Sequence, residues 1–387
     1  MTLKEELEIL RGEPIEVFAG DPLDIPCIET SDPDKLCKNP VVSVHMITYN
    51  QEPYIRQAIE GVMMQKTDFE FELVIGEDCS QDKTREICFE YQKKYPDKIR
   101  VLWWHENVSK LGGNGRRTRA HCRGEFMAFC EGDDYWIDPH KLQKQVDIFH
   151  ENPNIGLCFC GAVRYIQNNR CFEDWPLDFN PGIIEKDRFF SMMVDDAWWP
   201  RRTVATASVM FRSELYKTRS GRYDIFKWKL RLGDLTMWTF LGIESDVYFL
   251  PDVTSVYRIN AGSVCGRNVS LINRDAYIVK EYFILRQFES AWRKIPRPFL
   301  LHQFHNIIFA KMEYDNTKRA LHSKRLFKFS INRGLLLAPP MLCFTFFYYV
   351  GINFLLVNRI IFMVVRFALK FNNKTFKMSR RGGVWQG

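Results

Sequence analysis

The final 72 residues contain no acid: residues 316–387 carry 13 Lys and Arg and not one Asp or Glu. All 47 acidic residues therefore lie in the first 315, where they meet only 41 basic ones, and the formal net charge of +7 conceals an acidic body with a basic tail. An acidic body repels nucleic acid, and the aromatics do not interleave with Lys and Arg as they do in a base-stacking groove, so no nucleic-acid partner is expected. The tail suits an anionic membrane surface. Paired cysteines are also missing. The eleven Cys include no CxxC, and no Cys/His spacing matches a zinc site, which points to reduced, mostly buried thiols in a cytoplasmic protein. The opening Met1-Thr2-Leu3-Lys4-Glu5-Glu6 is charged and lacks the apolar run of a secretory leader. No internal repeat is evident.

What is present is enough for a real core. Apolar residues make up 46% of the chain and aromatics 14%, and the length allows one large or two modest domains. Residues 1–39 read as an N-terminal extension, a short charged helix followed by an Asp- and Pro-rich loop. Ordered alternation begins at 41–47, β-branched and apolar, followed by a helix opened by Asn50-Gln51-Glu52-Pro53, with Ile55, Ala58, Ile59, Val62 and Met63 on one face. A second strand is expected at 71–76, a helix at 80–95, a third strand at 99–104 and a fourth at 125–130. Asp138-Pro139 has the form of a helix start, with Asp as N-cap and Pro in the first turn. Residues 155–260 are less regular, with a short strand at 206–211 and helical character at 235–241. Strand–helix alternation implies an α/β fold with a mostly parallel, Rossmann-like sheet flanked by helices.

At the end of the fourth strand stands Glu131-Gly132-Asp133-Asp134, three carboxylates in four positions. Packed together they repel one another, and they become reasonable once a divalent cation sits among them. Mg²⁺ and Mn²⁺ take carboxylate oxygens and share them with substrate phosphates. Two more polar clusters fall at expected strand ends, Thr48-Tyr49-Asn50 and Glu77-Asp78-Cys79-Ser80. In parallel sheets ligands bind outside the carboxyl ends of strands, so the coincidence of the three outweighs any one of them.

With its clusters in this order the chain resembles the family 2 glycosyltransferases of GT-A fold. The matching text is VSVHMITYNQEPYIRQAIEGVMMQ, FELVIGEDCSQDKT, GEFMAFCEGDDYWIDPHKLQKQV and SVYRINAGS, over roughly residues 40–265. The resemblance implies transfer of a sugar from a nucleotide-sugar donor, with UDP as the first nucleotide to consider, to a hydroxyl of a glycan or lipid-linked acceptor, with inversion. Asp133 and Asp134 would hold Mg²⁺ or Mn²⁺ against the diphosphate. Glu131, in place of the family's usual Asp, would reach the ribose. Glu77 and Asp78 would contact base and ribose, Thr48 and Asn50 the base, and Arg258 a phosphate. Asp234 would be the general base for the acceptor hydroxyl. Each has a plainer alternative: a helix-capping loop at 131–134, an N-terminal cap by Glu77 and Asp78 for the helix at Asp82, an N-cap at Asp234, a strand-to-helix turn at Thr48 and Asn50, and a structural ion pair at Arg258. Asn260 stands where relatives often carry a His ligand, and Ser263 follows on an expected loop.

Other segments are open to two readings. Residues 112–119, Gly- and Arg-rich, form either a pocket wall or a solvated loop and helix start. Trp198 and Trp199 form either an acceptor platform or core. Residues 266–332 read as a basic helical region, and 333–387 as an apolar, basic, membrane-associating tail. The latter includes 24 uncharged residues at 335–358, enough to span about 30 Å of hydrocarbon, although Pro339-Pro340 favours an in-plane anchor. The expected location is the cytoplasmic face of a membrane. A nucleotidyltransferase would carry a Gly-rich phosphate loop after the first strand, and residues 48–52 contain no Gly. A non-catalytic membrane- or nucleic-acid-binding scaffold with a decayed transferase domain is the remaining alternative.

Overall fold

The computed structural model describes residues 2–11, 13–18, 24–109, 113–175, 179–194, 204–230 and 232–260, with a few positions between 275 and 286. Gly112, Trp198, Trp199, Ser263 and the whole expected tail lie outside the described residues. Two compact units are distinguished: residues 1–15 with 281–387, and residues 16–280. In the first, α1 (Leu3–Arg11) is the charged helix expected at the N-terminus. The second unit carries the sheet. Among the described residues no helix is long and apolar enough to cross a membrane.

The eleven-stranded sheet is built on four neighbours in the order β4 (Ile99–Trp103), β3 (Phe71–Glu77), β2 (Val42–Thr48) and β5 (Phe126–Phe129), all parallel. These strands read as apolar runs because both faces are covered; every residue of β3 is buried. Val42, Val44, Met46, Phe71, Leu73 and Ile75 face the core shared with α2 (Ile55–Met63), α3 (Thr84–Lys94) and α5 (Lys141–Glu151). On the other face lies α4 (Gly113–Ala120), whose Gly115 carbonyl lies 3.1 Å from His45 Nε2; a carbonyl only accepts, so Nε2 carries the hydrogen and donates it. α4 approaches β3 so closely that a Cβ on Gly76 would stand 2.1 Å from Thr118 Oγ1.

The mostly parallel expectation needs correction beyond this block. β6 (Tyr135–Trp136), β7 (Ile155–Ile166), β8 (Cys171–Asp174), β9 (Gly182–Ile184), β10 (Val209–Arg212) and β11 (Asp246–Ile259) add one parallel pair, β7 with β11, and five antiparallel ones. Short reversals suffice for antiparallel neighbours, whereas parallel ones need a crossover. The β7–β8 hairpin, for example, turns through residues 167–170, with Arg170 at φ 52°. The stretch expected to be irregular thus holds the two longest strands. β1 (Ile28–Thr30), from within the expected extension, pairs with β4 as an edge strand. The short strand at 206–211 resolves into a 3-10 turn at Thr206–Ser208 followed by β10. The N-cap of α5 is His140 rather than Asp138, because the Asp138 carboxylate instead closes a turn on the His140 N–H at 2.8 Å.

Candidate active site

Because β3, β2 and β5 are parallel neighbours, their carboxyl ends share one edge of the sheet. That edge unites the three polar clusters. Gly132 N donates to Ile47 O at 3.0 Å and Asp78 N to Thr48 O at 3.1 Å, continuing the ladder past the strands. The next turns interlock as well. Asn50, held at φ 51°, donates its backbone N–H to Ser80 Oγ at 2.9 Å and accepts at Oδ1 from Gln81 N at 2.7 Å. Gln51 N and Glu52 N donate to Thr84 Oγ1 and Asp82 Oδ2.

The acidic turn is tightly enclosed. A Cβ on Gly132 would lie 2.4 Å from Gln51 Oε1 and 2.8 Å from Thr48 Oγ1, so only glycine lets the turn approach β2 this closely. Asp134 is 2% exposed; its Oδ1 accepts the Arg258 backbone N–H at 2.9 Å. Its Oδ2, like Thr48 Oγ1 and Gln51 Oε1, is buried without a hydrogen-bond partner. Buried polar atoms are ordinarily paired, and three orphaned oxygens on or beside one acidic turn are donors of the kind a hard cation takes. Asp133, half-buried, accepts from Asn260 Nδ2 at 3.2 Å.

Electrostatics point the same way. Burial first, then the charges of Asp133 and Glu131, push the Asp134 carboxyl well above the carboxylate range. Burial also raises Asp133. Burial followed by repulsion from Asp133 and Asp234 lifts Glu131 to about 8. Among the described residues no three His, Cys, Asp or Glu side chains form a ready metal cage. One or two carboxylates are nevertheless the protein share typical of Mg²⁺, which completes its shell with waters and phosphate oxygens. The residues present fit a hard divalent cation of that kind.

Asp234 opens α8 (Gly233–Glu244), and the Leu235 N–H donates to its Oδ1 at 2.7 Å. The side chain keeps an exposed face, yet the protein mass around it raises its pKa. Its repulsion of Glu131 brings it into the same electrostatic neighbourhood as the acidic turn.

The remaining expected residues are committed to structure. Glu77 pairs with Arg85 Nε and accepts from Ser80 N at 2.7 Å. Asp78 accepts from Val108 N at 2.7 Å and from both the N–H and hydroxyl of Ser109. Both carboxylates hold loops around the strand ends. Arg258 donates from Nε to Asp133 O at 2.8 Å, from Nη1 to Gln167 Oε1 at 2.9 Å and from Nη2 to Gln57 Oε1 at 2.7 Å. Its guanidinium also lies near the rings of Tyr54, Tyr135 and Tyr165. It therefore clamps the acidic turn through both backbone and side chain. Gln51, Gln57, Arg85, Gln167 and the three tyrosines went unnoticed in the sequence, because their roles depend on contacts between distant segments that no local spacing records.

Two expected outcomes arise here. Arg258→Lys keeps the charge but loses the fork, and should lower stability by on the order of 3 kcal/mol in urea unfolding; a loss below about 0.5 kcal/mol would contradict the clamp. The second concerns Glu131. An acid whose pKa is raised on folding binds more protons folded than unfolded between the two values, so its contribution falls as pH rises from about 4.5 to about 8. In chelator, wild-type melting temperature should therefore drop more between pH 5 and pH 8 than that of Glu131→Gln. Parallel profiles would show that Glu131 is not held protonated by its surroundings.

The family description "Glycosyl transferase family 2" matches residues 43–218. The chain is 34% identical over 255 residues to the putative teichuronic acid biosynthesis glycosyltransferase TuaG of Bacillus subtilis (strain 168), covering 65% of this chain and 92% of that protein. It is 33% identical over 223 residues to an uncharacterized protein of Mycobacterium tuberculosis, covering 58% of this chain and 60% of that one, so the match spans under two thirds of this relative's length. Among solved structures, S. aureus TarS 1-349 in complex with UDP-GlcNAc superposes with a TM-score of 0.53 at 19% identity, covering 74% of this chain and 80% of that one. At that identity the likeness concerns the fold alone, the GT-A arrangement.

Proposed function

The chain belongs to glycosyl transferase family 2, and on that basis we propose that it transfers a sugar from a nucleotide-sugar donor to a hydroxyl of a glycan or lipid-linked acceptor in cell-surface polysaccharide synthesis. The observation that carries this reading is the set of oxygens on and beside the acidic turn, Asp134 Oδ2, Thr48 Oγ1 and Gln51 Oε1, buried without hydrogen-bond partners. The relative named for teichuronic acid biosynthesis supports the product class. A UDP-sugar is the first donor to test.

In this mechanism Asp133 and Asp134 would hold Mg²⁺ or Mn²⁺, which supplies the positive charge that makes a nucleoside diphosphate a good leaving group. Arg258 keeps the turn in place through Asp133 O and Asp134 Oδ1. Thr48, Asn50, Glu77 and Asp78 shape the nucleoside side of the pocket, and Glu131 faces the ribose. Asp234, beyond the turn, accepts the proton of the acceptor hydroxyl as its oxygen attacks the anomeric carbon from the side opposite the diphosphate, with inversion. Crowding raises the carboxyl pKa of Asp234, which makes it a stronger base. The basic tail would hold the enzyme at the cytoplasmic face of an anionic membrane, beside a lipid-linked acceptor. Thermal melting with UDP and Mn²⁺ tests the donor site. A rise in melting temperature that needs both components supports it, and no shift with any nucleoside diphosphate contradicts it.

A further inference from the structure

Away from the strand-end pocket, a thiol and an imidazole meet at the edge of the sheet. Cys27 immediately precedes β1, and three strands separate β1 from β5 in the sheet order. Its Sγ lies 3.8 Å from His121 Nε2. His121 follows α4, and its Nδ1 lies 2.9 Å from the Arg117 carbonyl. A carbonyl only accepts, so Nδ1 carries a hydrogen and the neutral ring turns its Nε2 lone pair toward the thiol. The imidazole is thus oriented by one bond and positioned to take a proton with the other, the arrangement that activates a nucleophilic sulfur. Cys27 is partly exposed, so small reagents can reach it.

We infer that Cys27, activated by His121, is a reactive thiol and a modification site for soft electrophiles, in particular low-molecular-weight disulfides. The thiol proton passes to His121 Nε2. The thiolate attacks one sulfur of the disulfide, the S–S bond breaks, a mixed disulfide forms on Cys27, and the departing thiolate takes up a proton. The disulfide is the oxidant, and no other co-reactant is needed.

The charged surroundings support ionisation. Burial pushes the Cys27 thiol up, but hydrogen bonds from His121 and Arg117 outweigh it and bring the thiol below its ordinary value. The bond to Cys27 raises His121 in turn. Arg117 on α4 and Arg100 on β4 face the pair with positive charge, and Glu29 on β1 is the acid beside it, itself held by Arg100. The other partly exposed thiols, Cys37, Cys79 and Cys171, serve as controls within the same molecule.

The test is residue-resolved alkylation of the native full-length protein by iodoacetamide, read by mass spectrometry from pH 6 to pH 10. At pH 7 Cys27 should react about tenfold faster than Cys37 and Cys171, with the advantage shrinking toward pH 10, where thiols in general ionise. His121→Gln should slow Cys27 about tenfold at pH 7 and little at pH 10. Incubation with hydroxyethyl disulfide should place the first mixed disulfide on Cys27, removable by reductant. Equal rates at pH 7 for Cys27 and the control cysteines overturn the inference, as does an unchanged rate in the variant or a first mixed disulfide elsewhere. If His121→Gln does not fold, the wild-type pH profile decides. None of these readouts depends on sugar transfer.

Discussion

Asp134→Asn should lower sugar transfer by on the order of a thousandfold, equivalent to the several kcal/mol that a cation held at the diphosphate contributes. The substitution is chosen to spare the fold. An Asn oxygen can still accept the Arg258 N–H that now reaches Asp134 Oδ1 at 2.9 Å. What disappears is the charge, and an amide N–H₂ replaces the buried Oδ2 that has no partner in the chain. A donor group pointing into that pocket repels a cation. The variant should therefore also lose the melting-temperature rise that UDP and Mn²⁺ give the wild type. Its unliganded melting temperature should rise, because a neutral amide is spared the cost of burying an ionisable carboxyl and, after that, the repulsion of Asp133 and Glu131. A variant that keeps more than about a tenth of wild-type activity would leave too small a role for the cation.

Asp234→Asn should behave differently. Removing a general base costs about 10²–10⁴ in rate, and the loss should fall on kcat, with the donor KM and the UDP–Mn²⁺ thermal shift retained. The reason is position: Asp234 heads α8 with an exposed face, whereas the acidic turn is enclosed by β2. Activity that needs a deprotonated Asp234 rises with pH through the carboxyl's raised pKa, and the variant should lack that limb of the pH profile. Loss of the thermal shift in Asp234→Asn, or an unchanged kcat, would remove it from the role of base. The two variants together separate donor binding from proton transfer.

Much of this arrangement was legible in the sequence. The parallel block was readable because β2, β3 and β5 are short apolar runs buried on both faces, each followed by polar residues. A parallel sheet brings such ends to one edge, which is how Glu77, Thr48 and Asp134 could be grouped before their contacts were known. The half that resisted is β7 and β11. β7 is buried as far as Ala162 and only half-covered beyond it, while β11 exposes Pro251 and Val253 in mid-strand, buries polar Thr254 and Ser255, and shifts register at three points, which breaks the alternation. The antiparallel pairings of β10 with β5 and β7, and of β6 with β11, join segments far apart in the chain, which no local turn signature records. At the site, residue types were easier to read than their partners. Arg258 read as either a phosphate ligand or an ion pair; it holds the acidic turn through Asp133 O and Asp134 Oδ1, while its guanidinium bonds the neutral oxygens of Gln167 and Gln57 and lies near three tyrosine rings.

The most direct measurement is release of nucleoside diphosphate from a panel of nucleotide sugars, with membranes as acceptor, in Mn²⁺ and in chelator. Release from one donor that requires the cation and is lost in Asp134→Asn is the expected result. Absence of release from every donor with Mn²⁺ and membranes present, or release that survives both the chelator and Asp134→Asn, would contradict a donor site built on the acidic turn.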